Sequence, residues 1–194
     1  MEITQILEVK NRQEWRTWLS KNYNSAKDIW LVYYNKKSSK ERISYNDAVD
    51  EALCFGWIDS TTKAWNEESS VQRFSPRRKN SFLSELNKER VRRLIDNGLM
   101  TEAGLDSIKQ YWKIVKIDGK DVIKLNEFIF PDDVLDILKN DEDVWNNYRK
   151  FPEHYKRIRI GWIDGARHRQ DVFEQRLNYF IKMTKKNKMY GMLF

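Results

Sequence analysis

The chain reads as an α+β protein, with a small antiparallel sheet and helices in its N-terminal part and an all-helical C-terminal part. Three observations predict this class. Runs rich in β-branched and aromatic residues, Asp28–Lys37, Trp57–Trp65 and Val71–Phe74, all lie before Pro76. Helix-capping signatures stand before periodic apolar segments at Asn11 and Ser44. From Ser81 onward the signals are helical, and no segment recurs at the spacing of a solenoid.

The elements follow in order. Asn11 with Glu14 forms a capping box ahead of Trp15, Trp18 and Leu19, and this helix should fail at Asn22–Ser25. Asp28–Lys37 is the first strand. Ser44 with Asp47 opens a helix over Tyr45–Phe55, whose Ala48, Ala52 and Leu53 share a face. Gly56 falls where a left-handed C-terminal cap is needed, because it has no Cβ to clash. Two strands then flank the polar turn Asn66–Ser70, and Pro76 ends the second. Ser81 is the expected cap of the next helix, which Asn97-Gly98 stops. Thr101 starts another, with Leu105, Ile108, Trp112 and Val115 on its inner stripe. The charged, turn-rich stretch after it reads as a joint. Helices opened by Pro131 and Asp141 follow, then two long basic helices, the last begun by Asp171 with Glu174 as a third capping box. The domain reading is 1–117, a joint at 118–130, a helical domain at 131–187 and a loose tail at 188–194.

With 194 residues, 40% apolar and 13% aromatic, the chain can bury a sizeable core and lacks the signature of disorder. Its single cysteine, Cys54, excludes an intrachain disulfide and suits a reducing compartment. The N-terminus has no secretory pattern, and Ile29–Tyr34 is too short to span a bilayer, so a cytoplasmic location is expected. The net charge of +7 is segregated. Arg149–Lys188 holds 12 basic and 4 acidic residues, Arg73–Arg93 holds 8 and 2, and Asp118–Asp143 holds 3 and 9. Such segregation marks either an anion-binding face or solvated helix surfaces.

Several chemistries lack their residues. His154 and His168 have no partner at metal-ligand spacing, no glycine-rich phosphate loop exists, and no nucleophile elbow appears. No cofactor, metal or catalytic residue is therefore assigned. Cys54 sits at an apolar helix end and reads as a buried structural thiol.

The stretch Val71–Asn87 carries the candidate site. Arg73, Arg77 and Arg78 precede the helix start expected at Ser81, where free N–H groups and the helix dipole favour an anion. Guanidinium groups there would grip carboxylate or phosphate. Trp57 and Asp59 complete the candidate set. Trp57 and Trp65, eight apart on one strand, would share a face and either stack on a flat ligand or belong to the core. The architectural alternative has Arg77 or Arg78 paired with Asp59 or Asp47.

Gly-Trp-Ile-Asp occurs twice, at Gly56–Asp59 and Gly161–Asp164. The flanks differ, and the second copy falls inside an expected helix over Tyr155–His168. It is two backbone roles sharing four letters, not a repeat.

The string from Ser44 to Leu53, Gly56 to Asp59, Phe74 with Pro76 to Arg78, Ser81 with Ser84 and Asn87, and Gly98 with Met100, Thr101 and Gly104 resembles the bacteriocin-protection family, also called YdeI/OmpD-associated. The resemblance covers roughly 12–112. Pro152, Tyr155, Trp162, Ile163, Ala166 and Arg167 resemble that family's helical end. The resemblance implies a role in protection against bacteriocins or antimicrobial peptides and in envelope stress, without fixing a reaction. A non-enzymatic binding protein for an anionic small molecule or an acidic protein is the first expectation. Nucleic-acid binding by the basic C-terminal helices is one alternative. The other is an enzyme that clamps an anionic substrate with Arg77 and Arg78 beside Asp59.

Overall fold

The computed structural model describes residues 2–35 and 37–191. It is α+β, and the chain divides into two compact units. The first comprises the chain up to Phe82 with Arg90–Leu125; the second comprises Leu83–Glu89 with the chain from Asn126 onward.

The first unit is built on a four-stranded sheet. Its strands are β1 (Ile6–Leu7), β2 (Ile29–Tyr34), β3 (Trp57–Asn66) and β4 (Ser69–Pro76), in the order β1-β2-β4-β3. β1 runs parallel to β2, and the other pairs are antiparallel. Helices α1 (Arg12–Asn22) and α2 (Tyr45–Cys54) supply the large groups of the core. Trp15 and Trp18 of α1 stack at 5.3 Å, and they meet Phe74 and Trp57 edge-on at 5.6 and 5.7 Å. Trp30, Val32, Tyr34 and Val71 project from the opposite face and pack under Ile3 and Ile6. Every residue of β2 is buried, so its continuous apolar run reflects a strand covered on both faces.

Both N-terminal caps form, with Asn11 and Ser44 accepting from the backbone N–H of Glu14 and Asp47. α2 buries two adjacent carboxylates, Asp50 and Glu51. Arg90 and Arg93 each reach Asp50 at 2.6 Å. Glu51 pairs with Arg12 and, at 2.7 Å, with Arg16. Four arginines are thereby committed to holding α2 in place.

Three expectations are corrected here. The helix expected to be capped by Ser81 is α3 (Glu85–Asp96), and Ser84 supplies the cap by accepting from the Asn87 N–H at 3.3 Å. The helix expected from Thr101 is only α4 (Glu102–Asp106), followed by a 3-10 turn at Lys109–Tyr111 and then β5 (Trp112–Ile117). β5 pairs with β6 (Lys120–Leu125) in an antiparallel hairpin, so much of the supposed joint is strand. Asp118-Gly119 accounts for it. Both residues have positive φ, 48° and 77°, as a type I′ hairpin turn requires. Finally, Trp57 and Trp65 do not share an environment: Trp57 is fully buried and Trp65 is 48% exposed. A register shift between Asp59 and Thr62 inserts one extra residue and breaks the alternation.

The second unit contains α5 (Asp132–Lys139), α6 (Glu142–Lys150), α7 (Glu153–Asp164) and α8 (Gln170–Lys185), with Val134, Val144, Tyr155, Ile160 and Phe180 in its core. α8 lacks the expected capping box, since Arg169 occupies its N-cap position without a side-chain bond. Gly161 lies in α7 because a Cβ there would stand 2.5 Å from Glu85 Cγ. The expected loose tail is docked as far as Gly191. The Tyr190 N–H donates to Tyr155 Oη at 3.3 Å, and the Arg159 guanidinium lies 4.9 Å from the Tyr190 ring centre. The rest of that tail, 192–194, lies outside the described residues.

Candidate functional site

The signature string converges on one corner of the first unit. Gly56 follows the end of α2, with φ 74°. A Cβ at Gly56 would stand 2.9 Å from both the Ala103 carbonyl oxygen and Ser107 Cβ. α4 approaches from the other side: a Cβ at Gly104 would stand 2.2 Å from the Cys54 carbonyl oxygen. Thr101 joins the two, its N–H and hydroxyl donating to the Cys54 carbonyl at 3.1 and 2.6 Å, while its oxygen caps α4. The Gly56 carbonyl accepts the Arg77 N–H at 2.9 Å. Two glycines and a threonine thus fix the backbone from which Arg77 departs.

Arg77 is 8% exposed. Its Nη2 donates to the carbonyl oxygens of Ser81 at 3.2 Å and Phe82 at 3.1 Å. Nε and Nη1 are buried without any hydrogen-bond partner among the described residues, and no carboxylate pairs with the group there. Burial holds the guanidinium below the usual arginine range, with Tyr111 acting in the other direction. The Ser81 hydroxyl is also buried without a partner among the described residues.

Arg77 lines a cavity of about 620 Å³ with Lys79, Asn80, Ala103, Asp106, Ser107, Lys109 and Gln110. The loop over it is closed by the Ser81 N–H donating to the Arg78 carbonyl at 3.0 Å, and Asn80 takes the left-handed conformation with φ 68°. Tyr111 anchors the loop by donating to the Ser81 carbonyl at 3.2 Å. Three cationic side chains face one carboxylate here, so the cavity is electropositive.

The structure does not bring the six sequence-derived residues together. Trp57 is core, and its indole N–H donates to the Tyr23 carbonyl at 3.0 Å. Asp59 accepts from Tyr45 Oη at 3.0 Å and Gln72 Nε2 at 2.9 Å. Neither Arg77 nor Arg78 pairs with Asp59 or Asp47; Asp47 faces Arg12 at 3.5 Å. Arg73 projects from the other face of the sheet, where Nε and Nη2 donate to Asp28 at 3.0 and 2.7 Å. Arg78 is exposed. Ser81 contributes its carbonyl to Arg77 and is not a helix N-terminus, so the dipole expected there is absent. Lys79, Asn80, Asp106 and Lys109 escaped sequence reading. Only the family string hinted at them, by placing the loop at 77–81 and the segment 101–104 in one pattern.

Cys54 is no nucleophile in this setting: burial, with Glu51 nearby, pushes its thiol up to about 11. Among the described residues no group of His, Cys, Asp and Glu could hold a metal ion, and no helix is long and apolar enough to cross a membrane.

Fold and site together define an α+β protein with an electropositive cavity around one buried, unpaired arginine. Residues 7–107 match the model of a domain of unknown function, DUF8412, and the chain belongs to the family that this domain defines. Residues 127–187 match the bacteriocin-protection, YdeI or OmpD-associated family. That named family therefore matches the helical C-terminal segment, whereas the longer N-terminal string of the resemblance lies almost wholly within the other domain. No curated protein and no solved structure matches the chain.

Proposed function

We propose that the chain is a cytoplasmic, non-enzymatic binding protein. It holds an anionic small molecule, or an anionic group of an acidic protein, at Arg77, and it serves resistance to bacteriocins or envelope stress. The observation that supports the binding role most is the buried Arg77 guanidinium with unused Nε and Nη1 donors. A buried charge without a counter-charge costs several kcal/mol. An anion in the adjoining cavity would supply the missing counter-charge. The resistance role is supported by the match at 127–187 to the bacteriocin-protection family. With a net charge of +7 the chain does not attract cationic peptides, so protection runs through an anionic ligand or partner and not through sequestration of the bacteriocin.

The test is a thermal-shift screen with phosphate, sulfate and phosphorylated metabolites on the wild type, Arg77→Ala and Arg78→Ala. The expected result is a concentration-dependent rise in melting temperature for wild type and Arg78→Ala that is lost in Arg77→Ala. Absence of any shift, with an anion-indifferent Arg77→Ala, overturns the reading.

A further inference from the structure

We propose that the anion is the phosphate of a small hydroxylated molecule, a sugar or polyol monophosphate; this rests on the reading of Arg77 as the anion-binding group. Three features of the cavity point to it. The first is size. A phosphate ion displaces two or three waters, about 60–90 Å³, whereas the cavity holds about 620 Å³. The cavity therefore leaves room beside the anion for an organic body. The second is charge. Among the described residues, Arg77, Lys79 and Lys109 line the cavity against the single carboxylate of Asp106, which suits a group carrying nearly two negative charges better than a single carboxylate. Asp106 also disfavours a second phosphate.

The third is the chemistry of the remaining wall. Asn80, Ser107, Gln110 and Asp106 are polar, Ala103 is small, and no aromatic ring among the described residues lines the cavity to stack a nucleobase. The Ser107 hydroxyl spends its proton on the Gly104 carbonyl at 2.7 Å, so its oxygen remains an acceptor. The Asp106 carboxylate is a second acceptor. Together they match the hydroxyl protons of a sugar or polyol, while the cations take the phosphate.

The experiment is calorimetric titration of the full chain with glucose 6-phosphate, glucose, adenosine monophosphate and inorganic phosphate. Glucose 6-phosphate is expected to bind at least about tenfold tighter than inorganic phosphate, one or two added hydrogen bonds being enough. Glucose is expected not to bind, and adenosine monophosphate to bind no tighter than phosphate. Asp106→Asn, at an exposed position, should erase the advantage of glucose 6-phosphate over phosphate. Lys109→Ala, also exposed, should weaken both several-fold. Equal affinity for the two phosphates, or an Asp106→Asn variant that keeps the preference, overturns the sugar-phosphate assignment and leaves the anion site standing. Failure of every phosphate to bind overturns both.

Discussion

Arg77 differs from the other buried or half-buried arginines of the first unit in its counter-charge. Arg90, 1% exposed, pairs with Asp50, and Arg12 and Arg16 pair with Glu51. These are architectural: the carboxylates lie on α2, and the arginines reach them from α1 and α3. Asp50→Asn would remove the Asp50 counter-charge that Arg90 and Arg93 share, and is expected to destabilise the protein by about 1–3 kcal/mol in urea unfolding, because Arg90 keeps its bonds to Asn46. Asp59→Asn should cost less, because its partners Tyr45 and Gln72 are uncharged. Cys54 carries a pH signature. Its folded value of about 11 lies above the ordinary 9.0, so the folded chain binds the thiol proton more tightly. The stabilisation is full below pH 9 and is lost as pH rises through 11. Iodoacetamide labelling should therefore follow global unfolding, and stability should fall across that window. Labelling of the native chain at pH 8 at the rate of a free thiol would contradict the burial.

Backbone conformation decided several elements, and this is where sequence legibility was uneven. Asn11 and Ser44 announced α1 and α2 because a cap is a local interaction that three residues specify. Gly56 was legible as a left-handed helix stop for the same reason. The start of α3 was not: Ser81 was expected to cap it, and tertiary bonds move the cap three residues on, to Ser84. Arg77 and Tyr111 hold the Ser81 carbonyl, which leaves Ser84 to cap. Trp112 and Val115 fitted a helical stripe, yet Asp118-Gly119 specified a hairpin whose strands carry Ile114, Val115, Ile117, Val122 and Ile123. The turn signal outweighed the period. Glycine substitutions separate these effects. At Gly119 nothing stands within 4 Å of an added Cβ, so Gly119→Ala should cost only the left-handed penalty, about 1–2 kcal/mol. Gly56→Ala meets that penalty and the Ala103 carbonyl at 2.9 Å, and is expected to cost more and to weaken anion binding by shifting Arg77. Equal costs in denaturant titrations would contradict the close packing described at Gly56.

Across the whole chain, the α+β class and the helical C-terminal part were legible because they depend on period and composition summed over long segments. The grouping of site residues was not. Trp57, Asp59 and Arg73 are near Arg77 in sequence, but register sends Arg73 through the sheet and packing draws Trp57 into the core. The basic excess has the same lesson. In the second unit Arg167 pairs with Asp133 and Asp164, Arg157 with Glu89, Lys156 with Glu153 and Lys185 with Asp141. Four of the 12 basic residues in Arg149–Lys188 are thus answered by carboxylates, which reduces the charge that suggested nucleic acid. Retention on DNA or RNA is accordingly expected to vanish by about 0.15 M salt, and saturable binding that survives there would favour the nucleic-acid alternative. The central claim is that the unpaired Arg77 cation is the anion-binding group. Titration calorimetry with inorganic phosphate at low ionic strength tests it most directly, comparing the wild type with folded Arg77→Met and Arg78→Ala variants. One phosphate per chain should bind to wild type and Arg78→Ala, and none to Arg77→Met; phosphate binding by Arg77→Met equal to that of the wild type would contradict the claim.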